Sequence, residues 1–302
     1  MSWIFIAVVG SAVGAAIHIV DKTVLQNYVK TYVSFLLIIA IFQGLVGLTI
    51  VGILCWFETI TIYASLIAFV SGGIFGASGI LFLYVLSTQE VSRTVPVIQT
   101  APIFAAMLGL AFLGESLTNT QWLAIFITAL GAIMLSRKSD SNKGVFVYSS
   151  LVMLLVASFA QAAAQVLGKI PLEDLSIPLT HGFRSLGLSL AMFTYAIFNQ
   201  TARSDVINML NWHKNQLAFI AISEIGFVTI SFLLFLWAIS LTQVGLVTAV
   251  YATRSLFVLL YSTLITLGFK ELLGEKVTYK TISIKMASVT LIVSGVALIS
   301  IS

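Results

Sequence analysis

Charge is what this chain has least of. Asp, Glu, Lys and Arg make up 9% of its 302 residues, against roughly 25% in a soluble domain. A water-soluble fold of this length needs a polar shell, and these residues cannot supply one. Cysteine is nearly missing too. Cys55 stands alone inside an apolar block; no internal disulfide is possible, and it reads as a small buried hydrophobe. The histidines, His18, His181 and His213, are scattered without metal-ligand spacing. There is no Gly-x-x-x-x-Gly-Lys-Ser/Thr loop, no Gly-x-Ser-x-Gly elbow and no His-Glu-x-x-His pair. Those absences argue against an ATP-driven motor, a serine-hydrolase elbow and a zinc protease site in this chain. No cofactor and no metal are expected, and the chain reads as no enzyme. Short alternating segments of the kind that build membrane barrels are absent as well.

What is present is long apolar runs. Hydrophobic residues make up 59% of the chain, and several runs exceed the roughly 20 residues that cross a bilayer as a helix. Ten spans are predicted, at 3–20, 32–56, 62–87, 93–113, 120–136, 145–168, 178–198, 216–240, 243–267 and 283–301. The start, Ser2-Trp3-Ile4, carries no basic segment and no small-x-small cleavage site. It reads as a retained first helix, with a cleaved signal as the alternative. The polar stretch Arg137–Lys143 lies near the middle and reads as a linker.

The two halves echo each other. Phe82-Leu83-Tyr84-Val85-Leu86-Ser87 recurs as Phe235-Leu236-Trp237-Ala238-Ile239-Ser240, 153 residues on. Leu113-Gly114-Glu115-Ser116-Leu117-Thr118 recurs as Leu273-Gly274-Glu275-Lys276-Val277-Thr278, 160 residues on. A five-helix unit present twice follows, as residues 1–138 and 144–302. An odd number of crossings forces the second copy in upside down, the inverted-repeat plan of many secondary transporters. The expected fold class is therefore an all-α integral membrane protein of ten transmembrane helices in two inverted five-helix repeats.

At these residues the chain resembles the drug/metabolite transporter superfamily, EamA type. The connector motifs at Glu115 and Glu275 carry the resemblance, with Pro102 and the glycines Gly131 and Gly295 in the last helix of each half. It spans nearly the whole chain. It implies a ten-helix fold around a central cavity, and carriage of amino acids, metabolites or drugs, often outward. Two departures leave the second-half register open. Ser255 stands where Pro102 would recur, and Glu271 rivals Glu275 as the counterpart of Glu115.

Basic residues gather in the connectors after spans 1, 3, 5, 7 and 9, whereas the opposite connectors hold only Lys169. The positive-inside rule then puts those odd connectors in the cytoplasm and both termini outside. The resemblance implies the reverse, with cytoplasmic termini.

Charges inside spans are costly and face protein or a watery cavity. Arg254, in Tyr251-Ala252-Thr253-Arg254-Ser255, lies near the middle of the ninth span. It would bind an anionic solute group or fix two helices through an ion pair. Glu224 is its natural protein partner, either carrying a proton or holding a static pair. His18 and Lys22 share a helical face; His18 points to the cavity or sits at the interface. Gln161 and Gln165 lie four apart, lining a cavity or joining helices. Gln99 sits between Pro96 and Pro102, which kink the fourth span. Tyr84 and Trp237 hold equivalent positions, as cavity walls or as packing. His181 and Arg184 read as interfacial. Glu115 and Glu275 read as capping or pairing groups, and Ser71-Gly72-Gly73 with Gly76 and Gly79 allows close helix contact.

The expected substrate-binding or coupling set is thus Arg254, Glu224, Tyr251, Gln99, Gln161, Gln165, His18, Tyr84 and Trp237. The expected activity is gradient-driven transport of small solutes by alternating access. A non-transporting membrane scaffold and a lipid-modifying membrane enzyme are the alternatives. The expected partners are a small-molecule substrate and the lipid bilayer, with no nucleic acid. The substrate, the coupling ion and the oligomeric state are not legible.

Overall fold

The computed structural model describes residues 2–88, 97–136, 148–212, 214–268 and 279–301. Pro96, the 137–143 linker, His213, Glu271 and the second Leu-Gly-Glu motif at 273–275 lie outside the described residues. Every element among the described residues is helical. In chain order they are α1 (Trp3–Asn27), α2 (Tyr32–Leu54), α3 (Ile62–Thr88), α4 (Ala101–Leu113), α5 (Asn119–Ser136), α6 (Tyr148–Leu167) and α7 (Ile177–Ala196). Then follow α8 (Gln200–Trp212), α9 (Lys214–Ala221), α10 (Thr229–Leu241), α11 (Val244–Tyr251), α12 (Arg254–Gly268) and α13 (Tyr279–Ile301).

Among the described residues, six helical stretches are long and apolar enough to cross a membrane: Trp3–Leu25, Tyr32–Leu54, Ile62–Thr88, Tyr148–Glu173, Lys214–Leu241 and Val244–Tyr261. Ala101–Leu113, Asn119–Met134 and Met286–Ile301 are shorter apolar helices. The outer surface carries Trp56, Phe57, Phe112 and Phe198 at 75–85% exposure. Such a surface is stable only against hydrocarbon and the headgroup boundary, where aromatic rings gather. The chain is a multi-pass integral membrane protein.

The sequence predicts unbroken eighth and ninth spans, and both are broken. A wide π-helical segment, Ile222–Val228, interrupts the first and contains Glu224. The second breaks at Ala252 and Thr253, between α11 and α12. Arg254 therefore opens a helix after a break instead of lying within one. The fourth span is also interrupted: Gln99 and Thr100 form a turn, and α4 restarts with a proline in its first two positions. The connector 199–215 folds into α8 where a loop is expected; Asn199 Oδ1 accepts from Ala202 N at 3.0 Å and starts it. Cys55 is exposed, not buried as expected.

Close crossings hold the bundle. α3 packs on α6 and α7, α2 on α7, α1 on α10 and α12, α4 on α11, and α5 on α13. Small residues permit these approaches. A Cβ on Gly72 would strike the Arg184 backbone, and one on Gly187 the Phe69 backbone. The resemblance glycines are also explained. Gly131 of α5 lies against Leu291 and Ile292 of α13, and Gly295 of α13 against Ala124 and Thr128 of α5.

Candidate functional site

Leu113-Gly114-Glu115-Ser116-Leu117-Thr118 is one device in three parts. Gly114 ends α4 with φ +64°, which glycine adopts without strain. The reversed chain lets Glu115 N donate to Gly109 O at 3.2 Å. Gly109 must lack a side chain, because a Cβ would collide with the Glu115 carboxylate. Thr118 and Gln121 then cap α5 reciprocally, through bonds of 3.0 and 3.2 Å.

Glu115 reaches from the first half into the second. It accepts from Val244 N at 3.1 Å on both oxygens, capping α11. Lys169 Nζ lies 2.7 Å from Glu115 Oε1 and donates to Thr242 O at 2.7 Å. Only 7% of the Glu115 side chain is exposed. This end of the bundle is latched by a charge pair whose polar atoms are matched, as the expected pairing or capping role requires.

Deeper in, the second constellation forms around Arg254. Its Nη1 lies 3.2 Å from His18 Nε2, and its guanidinium carbon 5.7 Å from the Tyr251 ring centre. His18 Nδ1 is 3.9 Å from Asp21 Oδ2. Asp21 lies within electrostatic reach of both Arg254 and Glu224. Arg254 Nε is buried without a hydrogen-bond partner. The His18 side chain is 46% accessible and that of Asp21 27%. Gly14 makes room for Arg254: a Cβ there would come 2.8 Å from Nε.

The expected Arg254–Glu224 pair is not what forms. Glu224 is 3% exposed, and Gln43 of α2 holds it. Gln43 Nε2 donates to Glu224 Oε2 at 3.2 Å and to the Glu224 carbonyl at 3.0 Å. Ser185 Oγ donates to Gln43 Oε1 at 3.3 Å, and His181 Nε2 lies 3.4 Å from Ser185 Oγ. Four residues from α2, α7 and the π segment thus form one directed chain ending on the carboxylate. The π turn explains the reach, since widened turns offset side chains at functional sites.

The other expected residues divide. Tyr251 is buried: its hydroxyl donates to Ser231 O at 3.0 Å, and its ring meets Phe235 edge-on. Gln99 Nε2 donates to Ser255 Oγ at 2.7 Å, next to Arg254. Gln165 accepts from Thr248 Oγ1 at 3.1 Å, tying α6 to α11. Gln161 is half-buried. Tyr84 and Trp237 are each 41% exposed. Tyr84 packs with Tyr32, and neither joins the Arg254 or Glu224 groups. His181 and Arg184, expected at the interface, are buried at 2% and 4% exposure.

Sequence reasoning missed Asp21, Gln43 and Ser185 as partners. Gln43 had a signal, being the one amide in the apolar run 32–54. Asp21, three residues after His18, had a weaker one.

Residues 1–137 match the EamA-like transporter family. EamA-like proteins are membrane transporters of small solutes, not a family of enzymes, and the match is consistent with the drug/metabolite transporter superfamily. No curated protein matches the sequence. One solved crystal structure shares the architecture, with a TM-score of 0.67 at 13% identity over 99% of this chain and 96% of that one. At that identity the likeness speaks for the fold alone.

Proposed function

We propose that this EamA-like chain carries small organic solutes, amino acids or close relatives, outward across the cell membrane by alternating access. A solute or ion gradient drives the cycle, not ATP. Ten spans form two inverted five-helix units, 1–138 and 144–302. The packing supports this plan: exchanging the halves turns α1 on α10 into α3 on α6, and α1 on α12 into α4 on α6. The reciprocal glycines of α5 and α13 fit the same two-fold relation. The charge rule sets the odd connectors in the cytoplasm.

One observation carries the functional reading. Arg254, His18 and Asp21 gather where the His18 side chain stays 46% accessible, while the Glu115–Lys169 latch joins the halves at the other end. Accessible polar groups toward one end and a sealed ion pair at the other fit a carrier at rest. Arg254 receives the anionic group of the solute. Glu224 carries a proton or steadies the cavity through Gln43. The breaks at 99–100, 222–228 and 252–253 give the helices places to bend.

Reconstituted proteoliposomes test this directly. Purified protein with a preloaded amino-acid mixture should show counterflow of the labelled mixture without nucleotide. Counterflow no faster than in empty liposomes would leave the scaffold reading. Chemical turnover of a lipid-linked substrate without flux would favour the membrane enzyme.

A further inference from the structure

Where α1 ends, the connector helix α8 and the start of α9 wall a polar cavity of about 300 Å³. That volume is on the scale of small-molecule sites. α1 contributes Asn27, the segment after it Tyr28 and Lys30, α8 Asp205 and Asn208, and α9 Gln216. The Tyr28 wall is fixed by Phe219 of α9, which it meets edge-on with ring centres 6.2 Å apart. Asp205 is 5% exposed. Lys30 N donates to its Oδ2 at 2.9 Å, and among the described residues no other hydrogen bond reaches this carboxylate. A carboxylate can accept about four, and a buried one left undersupplied is costly unless something completes it. Lys30 gives Asp205 its backbone N–H but not its ammonium group: among the described residues no ion pair engages either side chain. One cavity therefore presents an anion and a cation that do not satisfy each other, with three side-chain amides in the same wall.

We propose that this cavity is a collecting site for a small zwitterion, an amino acid with an uncharged side chain. Asp205 takes its ammonium group and Lys30 its carboxylate, as charge-assisted hydrogen bonds. Asn27, Asn208 and Gln216 supply neutral donors and acceptors around the two charges, and Met209 gives the solute an apolar contact. The site's place in the cycle rests on the transport reading above. Asn27 stands nine residues beyond His18 on α1, roughly 13 Å along the helix axis, toward the end proposed to be open. A solute held there is one step short of Arg254.

Asn208→Cys in a Cys55→Ser background reports on the cavity directly. In the detergent-purified chain at constant ionic strength, a methanethiosulfonate reagent should modify position 208 about tenfold more slowly once L-alanine reaches roughly ten times its Kd. Ethylamine and propionate, each carrying one of the two charges, should slow it less than about twofold at the same concentration. Adding Asp205→Asn should remove the protection, and adding Arg254→Gln should keep it. Lys30 is exposed, so Lys30→Gln serves should the asparagine variant not fold, and should weaken alanine binding about tenfold. No protection by alanine, or equal protection in the Asp205 or Lys30 variant, would overturn the site. Protection lost in Arg254→Gln would overturn it too, placing the effect at the inner site. Equal protection by ethylamine or propionate would overturn it as a site for a single charge. Protection without counterflow counts against the transport reading alone. Counterflow without protection counts against this site alone.

Discussion

The latched end and the inner charged row meet the same problem, charge inside a membrane bundle, on opposite terms. At the latch, Glu115 has Lys169 and Val244 N, and Lys169 has Thr242 O besides. Nothing is left over, and the carboxylate is sealed. In the inner row, the described residues give Arg254 only His18 and the face of Tyr251, and its Nε is unpaired among them. Satisfied charges fasten helices; unsatisfied ones wait for a ligand. On the proposed function, the difference separates the part of the bundle that holds a conformation from the part that would recognise a solute.

That comparison breaks most visibly at Arg254. Arg254→Ala should cut amino-acid counterflow about 100-fold, the scale of a lost charge-assisted contact of about 3 kcal/mol. The protein should stay monodisperse in detergent by size-exclusion chromatography. Unchanged flux would remove the residue from the site.

The latch should respond differently. Glu115→Gln leaves Lys169 without its counter-charge and should lower stability by about 1–3 kcal/mol, read as a lower unfolding midpoint. Flux should fall about tenfold, because the state closed at that end is populated less. A midpoint unchanged from the wild type would deny the latch its fastening role.

Gln43→Leu sharpens the contrast within the interior. It strips Glu224 of its side-chain donor and should slow counterflow severalfold, with a stability loss of about 1–2 kcal/mol. Trp237→Leu should do least. The side chain is 41% exposed and stands apart from both polar groups, so flux should stay within about twofold. A large loss there would return Trp237 to the cavity wall.

Much of this was legible in the residues. Long apolar runs announced the helices, and the Leu113–Thr118 motif announced a connector whose cap, latch and capping box are now visible. Arg254, His18 and Gln99 stood out because polar atoms inside spans need company, and each has at least one partner. Their pairing was not legible. Glu224 looked like the partner of Arg254 because the two are the conspicuous charges of neighbouring spans. The choice of Gln43 depends on a π turn and on α2 lying against α7, which are properties of packing. His181 and Arg184 were misjudged for a related reason. A polar helix start reads as interfacial in one dimension, and only the crossing of α3 over Gly187 buries it.

Cysteine accessibility tests the central claim most directly. In a Cys55→Ser background, His18→Cys and Gln165→Cys would be labelled with a membrane-impermeant maleimide, in vesicles of each orientation. The account predicts that position 18 reacts only from the side carrying residues 28–31, and that position 165 reacts from neither side until Glu115→Gln opens the latch. Labelling of position 18 from the latched side, or its complete protection from both, would contradict it.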